Sequence, residues 1–159
     1  MRKIPTVRML ELELQLATDC ESVPSREDFQ RWSEQAVAQA DAELVIRVVD
    51  RDESADLNSR YRGKAGATNV LSFPFTVPAG VVTELLGDLV LCAPLVEEEA
   101  AAQGKTMEAH WAHLTIHGVL HLQGYDHQSP DEAEIMEAKE VAILAQLGYP
   151  NPYEELAGA

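Results

Sequence analysis

The sequence predicts an α+β fold, with about four strands in one sheet, helices packed on it, and a metal site on a helix–turn segment. Two patterns point to that class. Up to Cys92 the chain alternates strand-like and helix-like stretches, and after Pro94 its pattern is helical. A third feature, HGVLHLQGYDH at residues 117–127, places three histidines across a helix and the turn that ends it.

In VRMLELELQL, Val7 to Leu16, leucines at 10, 12, 14 and 16 alternate with Glu11, Glu13 and Gln15, the period of a half-buried strand. Ser25 can cap a helix whose first turn holds Glu27 and Asp28; Phe29, Trp32, Ala36 and Val37 carry it to about Ala40. ELVIRVV, Glu43 to Val49, is a β-branched second strand. Glu53 to Tyr61 is expected as a short helix with Leu57 and Tyr61 on one face, Asn69 to Phe75 as a third strand stopped by prolines, and Leu86 to Cys92 as a fourth. Helices follow over Pro94–Gln103, over Met107 to about Gln123 with Gly124 at its end, and from a Ser129-Pro130-Asp131-Glu132 cap to about Leu147. No repeat or linker interrupts the chain, so residues 1–159 are expected to form one domain.

A domain of 159 residues can bury about 70% of the surface its unfolded chain exposes. No apolar run approaches the ~18 residues of a membrane span. MRKIPTVRML turns at once into alternation rather than into an apolar signal core. Cys20 and Cys92 form no CxxC pair, so a reducing cytoplasm is expected and neither thiol reads as a ligand. The net charge is −15 and uneven: residues 1–64 hold ten Lys and Arg against thirteen Asp and Glu, and residues 65–159 hold two against fourteen. Phosphate contacts need positive charge, so this is no general nucleic-acid binder. RNA would have to meet a local patch, and the dense candidate is Arg60, Arg62 and Lys64 in NSRYRGK, with Arg47 and Arg51 in reach. On charge pattern alone a solvated loop explains that segment equally well.

Successive helical residues turn by about 100°, so His117 and His121 share a face one turn apart. His110 and His113 lie on the same side, but His113 and His121 are separated by a rise of about 12 Å. Two nitrogens each about 2.0 Å from one ion do not bridge that gap. A third ligand should come from beyond the helix, and His127 follows the turn that Gly124 permits. The alternative is a buried histidine cluster held by hydrogen bonds, a costly use of core space when the imidazoles are unpaired. Three protein ligands also leave a fourth position open, as in catalytic zinc sites. His110 and His113 are expected to pack, or to hydrogen-bond behind the ligands.

The spacing is that of zinc proteases, yet Gly118 stands where their H-E-x-x-H glutamate, the general base, would stand. Peptide hydrolysis is thereby disfavoured. RNA carries its own nucleophile, the 2′-hydroxyl, and its phosphate oxygens suit the bidentate fork of an arginine such as Arg62.

HGVLHLQGYDH, with YRGK and TNVLSFPF upstream, resembles the YbeY family of bacterial endoribonucleases that mature ribosomal RNA. The likeness extends through LGDLVLC, EAHWAHLTIHG and DEAEIMEAKE. It implies a metal-dependent, single-strand-specific endoribonuclease, with one Zn2+ held by His117, His121 and His127 and with Arg62 in the place of the arginine implicated in catalysis. It implies 16S rRNA 3′-end maturation, wider rRNA processing and removal of defective ribosomes, with single-stranded ribosomal RNA, the small ribosomal subunit and its assembly factors as partners, and no membrane. Arg60 and Lys64 are candidates for RNA-backbone contacts. Asp126 is either a base or a group that orients a ligand. Where many relatives read K-D-x-P-T-D-V, this chain reads KAGATNV at residues 64–70, which is expected to loosen the loop beside Arg62. Asp88 is expected to cap a turn after Gly87, with a partner contact or a hydrogen bond behind the site's ligands as the alternatives. The acidic helix at 131–147 is expected to present a solvated face or to meet a partner. A peptide metallohydrolase, and a non-catalytic assembly factor stabilised by zinc, are the rival readings.

Overall fold

The computed structural model describes residues 9–39, 41–81 and 83–154, without the Met9 side chain. Its elements are β1 (Met9–Ala17), α1 (Arg26–Ala36), β2 (Asp41–Val49), α2 (Arg51–Arg62), β3 (Val70–Pro74), β4 (Leu85–Cys92), α3 (Ala93–Gln103), α4 (Met107–Leu122) and α5 (Pro130–Leu147). Val7, the expected start of the first strand, lies outside the described residues. Both serine caps form: Ser25 and Ser129 Oγ accept from the backbone N–H of Asp28 and Glu132. Helix α1 stops at Ala36, short of the expected Ala40, for a tertiary reason. The Gln123 amide donates to Ala36 O at 2.6 Å and accepts from Ala38 N at 2.9 Å, diverting the chain.

The sheet runs β1-β2-β4-β3, with the first three parallel and β3 antiparallel to β4. Register sets Leu12 beside Leu44, Ile46 beside Leu89 and Val48 beside Leu91, so one face is a continuous apolar surface. Phe29, Trp32 and Trp111 join the core on this face, and the Trp32 and Trp111 rings meet Phe29 edge to face at centroid distances of 5.7 and 6.0 Å. Helix α4 crosses the middle of this layer, touching α1, α3, α5, β3 and β4. That position explains why it is apolar nearly all round.

Val49, Leu71 and Val90 form a smaller cluster on the opposite face, beneath Leu57 of α2. Asp88 lies on this face in the middle of β4, opposite Phe73, and caps no turn. Gly87 is needed for another reason, since a Cβ there would lie 2.2 Å from Phe73 O. Partial burial, reinforced by the charge of Glu13, raises the Asp88 carboxyl above its usual value. Among the described residues no helix is long and apolar enough to cross a membrane.

Candidate active site

The last two turns of α4 bring His117 and His121 together, with their Nε2 atoms 3.1 Å apart. The chain then reverses at Gly124, whose φ of 100° is left-handed and favours glycine. Gly124 N–H bonds His121 O at 3.0 Å and Tyr125 N–H bonds Leu120 O at 3.2 Å, closing the helix. The reversal carries the His127 ring to 5.0 Å from His121 and 5.8 Å from His117, centroid to centroid. One ring nitrogen from each of the three histidines falls within a 4.8 Å span. Nitrogens about 2.0–2.1 Å from a tetrahedral ion stand about 3.3 Å from one another, so the group fits a metal. Burial, and then the neighbouring His117 and His127, lower the His121 pKa and favour its neutral, ligating form.

Behind His117 stands a group that the sequence reading missed. Glu140 is fully buried in α5, not part of a solvated face. Its Oε1 lies 3.2 Å from His117 Nδ1 and 2.7 Å from His113 Nε2, and it accepts from the Tyr153 hydroxyl at 2.9 Å. Burial alone would raise the Glu140 pKa, but the hydrogen bonds from His113 and His117 outweigh it and hold it at about 2. A signal was present in the sequence: Met136, Glu140, Ile143 and Leu144 fall on one helical stripe, and all four are buried. Asp131, Glu132 and Glu134 on the same helix are exposed, as expected. His110 makes its own pair, with Glu99 at 3.0 Å.

A cleft of about 490 Å³ opens in front of the histidines, and Arg62, Lys64, Asn69 and Asp126 also line it. Arg62 is the last residue of α2 and reaches Ser72 O at a long 3.5 Å. The other basic residues expected nearby are engaged elsewhere. Arg47 grips Glu53 at 2.5 and 2.9 Å, Arg51 pairs with Glu98, and Arg60 pairs with Asp56 at 3.3 Å. None of these three lines the cleft. Asp126 accepts from His127 N–H at 2.7 Å, which stiffens the turn that carries the third histidine.

The loop after Arg62 is tied down in spite of its departures from the K-D-x-P-T-D-V pattern. Ser54 Oγ donates to Thr68 O at 2.8 Å and accepts from Thr68 N–H at 2.9 Å; the Asn58 amide donates to Gly66 O at 2.9 Å. Both anchors are buried on α2, the helix that carries Arg62. Asn69 is held in turn by the Glu99 carboxylate, at 3.0 Å.

Gly118 is explained by packing. A Cβ at this position would meet Leu89 Cδ2 at 2.6 Å, so its side faces the sheet and not the cleft. A glutamate could not reach the metal group from there.

Fold and cleft together define a small α+β domain with a histidine cluster able to hold a metal beside cationic side chains, the make-up of a metal-dependent enzyme. The family model described as Endoribonuclease YbeY matches residues 15–148, and the chain belongs to that family. Endoribonuclease YbeY of Methylococcus capsulatus is 62% identical over 148 residues, covering 93% of this chain and 98% of that protein. The Pseudomonas entomophila protein of the same name is 57% identical over 150 residues, covering 92% and 95%. The solution structure of TM1509 from Thermotoga maritima shares the fold, with a TM-score of 0.53 at 24% identity over 92% of this chain and 99% of that one.

Proposed function

We propose that the chain is a single-strand-specific, zinc-dependent endoribonuclease of the cytoplasm. Its proposed work is 16S rRNA 3′-end maturation, wider rRNA processing and removal of defective ribosomes, alongside the small ribosomal subunit and its assembly factors. The observation that carries this reading is that Arg62 and Lys64 line the same cleft as His117, His121 and His127. That cleft presents cations to a phosphodiester beside a site suited to a divalent ion.

His117, His121 and His127 would hold Zn2+. When bound, such an ion polarises a phosphoryl oxygen and makes water more acidic. Arg62 offers its planar fork to the anionic oxygens, and Lys64 adds a mobile positive charge. With glycine at 118, proton transfer falls to a group outside α4. Asp126 lines the cleft, and its Oδ2 has no hydrogen-bond partner among the described residues. In this reading it takes the proton of the attacking 2′-hydroxyl as the P–O2′ bond forms and the P–O5′ bond breaks, and the departing 5′-oxygen takes a proton from water.

Specificity for single strands follows from charge. Duplex RNA is read through backbone contacts across successive grooves. With a net charge of −15, and with Arg47, Arg51 and Arg60 each paired with an acid, the described residues around the cleft offer a duplex little continuous positive surface.

The test is incubation of zinc-loaded protein with end-labelled single-stranded RNA and with the matching duplex, alongside His117→Ala. Cleavage of the single strand alone, lost in the variant, is the expected result. Equal cutting of both substrates would remove the strand preference. No cutting by fully loaded protein would favour the non-catalytic assembly factor.

A further inference from the structure

We infer that Glu140 is a positioning residue of the metal centre: it holds His117 with its proton on Nδ1, leaving Nε2 bare toward His121 and His127. The inference rests on the three-histidine reading of the site and adds a residue from a different helix.

His117 uses both of its ring nitrogens. Nε2 stands 3.1 Å from His121 Nε2, and Nδ1 stands 3.2 Å from Glu140 Oε1. Only one of the two carries the proton of a neutral imidazole. Glu140 decides which. Its Oε1 already faces the Tyr153 hydroxyl at 2.9 Å and His113 Nε2 at 2.7 Å, a convergence of donors that suits a bare carboxylate. A proton on Oε2 would find no acceptor, since that atom is buried without a partner. The proton between Glu140 and His117 therefore belongs to Nδ1, and Nε2 keeps its lone pair for the ion.

Orientation is fixed by the same contacts. Met136, Ile143 and Leu144 are buried around Glu140 on α5 and limit its freedom. The Tyr153 ring packs edge to face on His113 at 5.3 Å, closing the far side of the network. Histidines that bind metal commonly donate their second nitrogen to a carboxylate in this way, and loss of such a partner typically weakens metal binding about 10–100-fold. His113, His117 and Glu140 also lie close enough together to suggest a second cation site. Their facing atoms are already committed to hydrogen bonds with one another, so the chain should bind one ion, not two.

The experiment titrates the metal-free full chain with Zn2+ against a chromophoric chelator, for wild type, Glu140→Ala, Glu140→Gln, His113→Ala and His121→Ala. It is paired with long-range 1H–15N spectra of the histidine rings in the wild type. The expected results are one ion per wild-type chain, binding about 10–100-fold weaker in Glu140→Ala, and partial recovery in Glu140→Gln, whose carbonyl can still accept from Nδ1–H. In the spectra, His117 should carry its proton on Nδ1 both before and after zinc is added. If wild type takes up no zinc, or His121→Ala binds as tightly as wild type, the three-histidine reading itself fails. If those two behave as expected but Glu140→Ala keeps wild-type affinity, the role of Glu140 alone is overturned. A second ion lost on His113→Ala would overturn it too. Should Glu140→Ala fail to fold, the wild-type spectra still decide, because a proton on Nε2 of metal-free His117 is incompatible with the inference.

Discussion

Gly118 of α4 lies so close to Leu89 of β4 that a single added carbon would approach Leu89 Cδ2 to 2.6 Å and Val70 Cγ2 to 3.3 Å. The residue that separates this chain from the H-E-x-x-H pattern is thus a packing residue. Alanine at 118 gains about 1 kcal/mol of helix propensity but forces Leu89 aside, and such overpacking costs about 1–3 kcal/mol. Gly118→Ala should therefore lose about 1 kcal/mol of stability in urea unfolding. Gly118→Glu also buries a charge without a partner and should lose at least about 3 kcal/mol, or fail to fold. A stable Gly118→Glu variant that cleaves peptides would refute this account.

Metal stoichiometry checks the ligand set. Purified wild type should hold one zinc per chain by elemental analysis, and His121→Ala should hold essentially none. His127→Ala should likewise lose it, because the turn at Gly124 brings that ring to the pair. His113→Ala should stay near the wild-type content, since its Nε2 faces Glu140. Metal loss in His113→Ala, with retention in His127→Ala, would reverse the assignment.

The two halves of this site were not equally legible in the sequence. His117, His121 and His127 could be placed because helical spacing and a glycine turn are local rules. Glu140 read as one acid among several: its stripe with Met136, Ile143 and Leu144 was present in the sequence, but that the stripe faces His117 depends on how α5 packs on α4. Tyr153 lies beyond the end of α5 and carries no pattern at all. Element order was legible, whereas strand order, the parallel pairing of β1 with β2 and the lone antiparallel β3 depend on contacts distant in sequence. The early stop of α1 is of the same kind: residues 37–39 continue the helical pattern locally, and Gln123 overrides it. The expectation of a loosened loop failed because its anchors, Ser54 and Asn58, sit on a neighbouring helix and not in the loop.

Acid should weaken the fold partly through His110. Burial lowers its pKa from 6.5, and the hydrogen bond to Glu99 opposes that shift without overcoming it. The unfolded chain therefore binds a proton at this position more readily than the folded one. The associated stability is complete above 6.5 and is lost as the pH falls through the lower, folded value. Chelated wild type should lose urea resistance between about pH 7.5 and about pH 5.5, and His110→Asn should lose less over the same interval. Parallel declines in the two proteins would show that His110 contributes nothing to the pH dependence.

Arg62 tests whether the cleft acts on a phosphodiester. It sits at the end of α2, in a cleft with the histidines, on a helix whose buried Ser54 and Asn58 pin the following loop. On the proposed reading, the guanidinium would meet the charge that builds on phosphoryl oxygens in the transition state. A preorganised donor of this kind is typically worth about 3–4 kcal/mol, or roughly two to three decades in rate. Arg62→Ala should lose that much in single-turnover cleavage of a short unpaired RNA. Arg62→Lys keeps the charge but not the planar fork, and should recover only part of the loss. Zinc content should be unchanged in both variants, because Arg62 is no ligand. RNA affinity should fall only modestly, since Lys64 shares the same cleft. Near-normal cleavage by metal-replete Arg62→Ala would remove this residue from the mechanism and reopen the case for a peptide substrate.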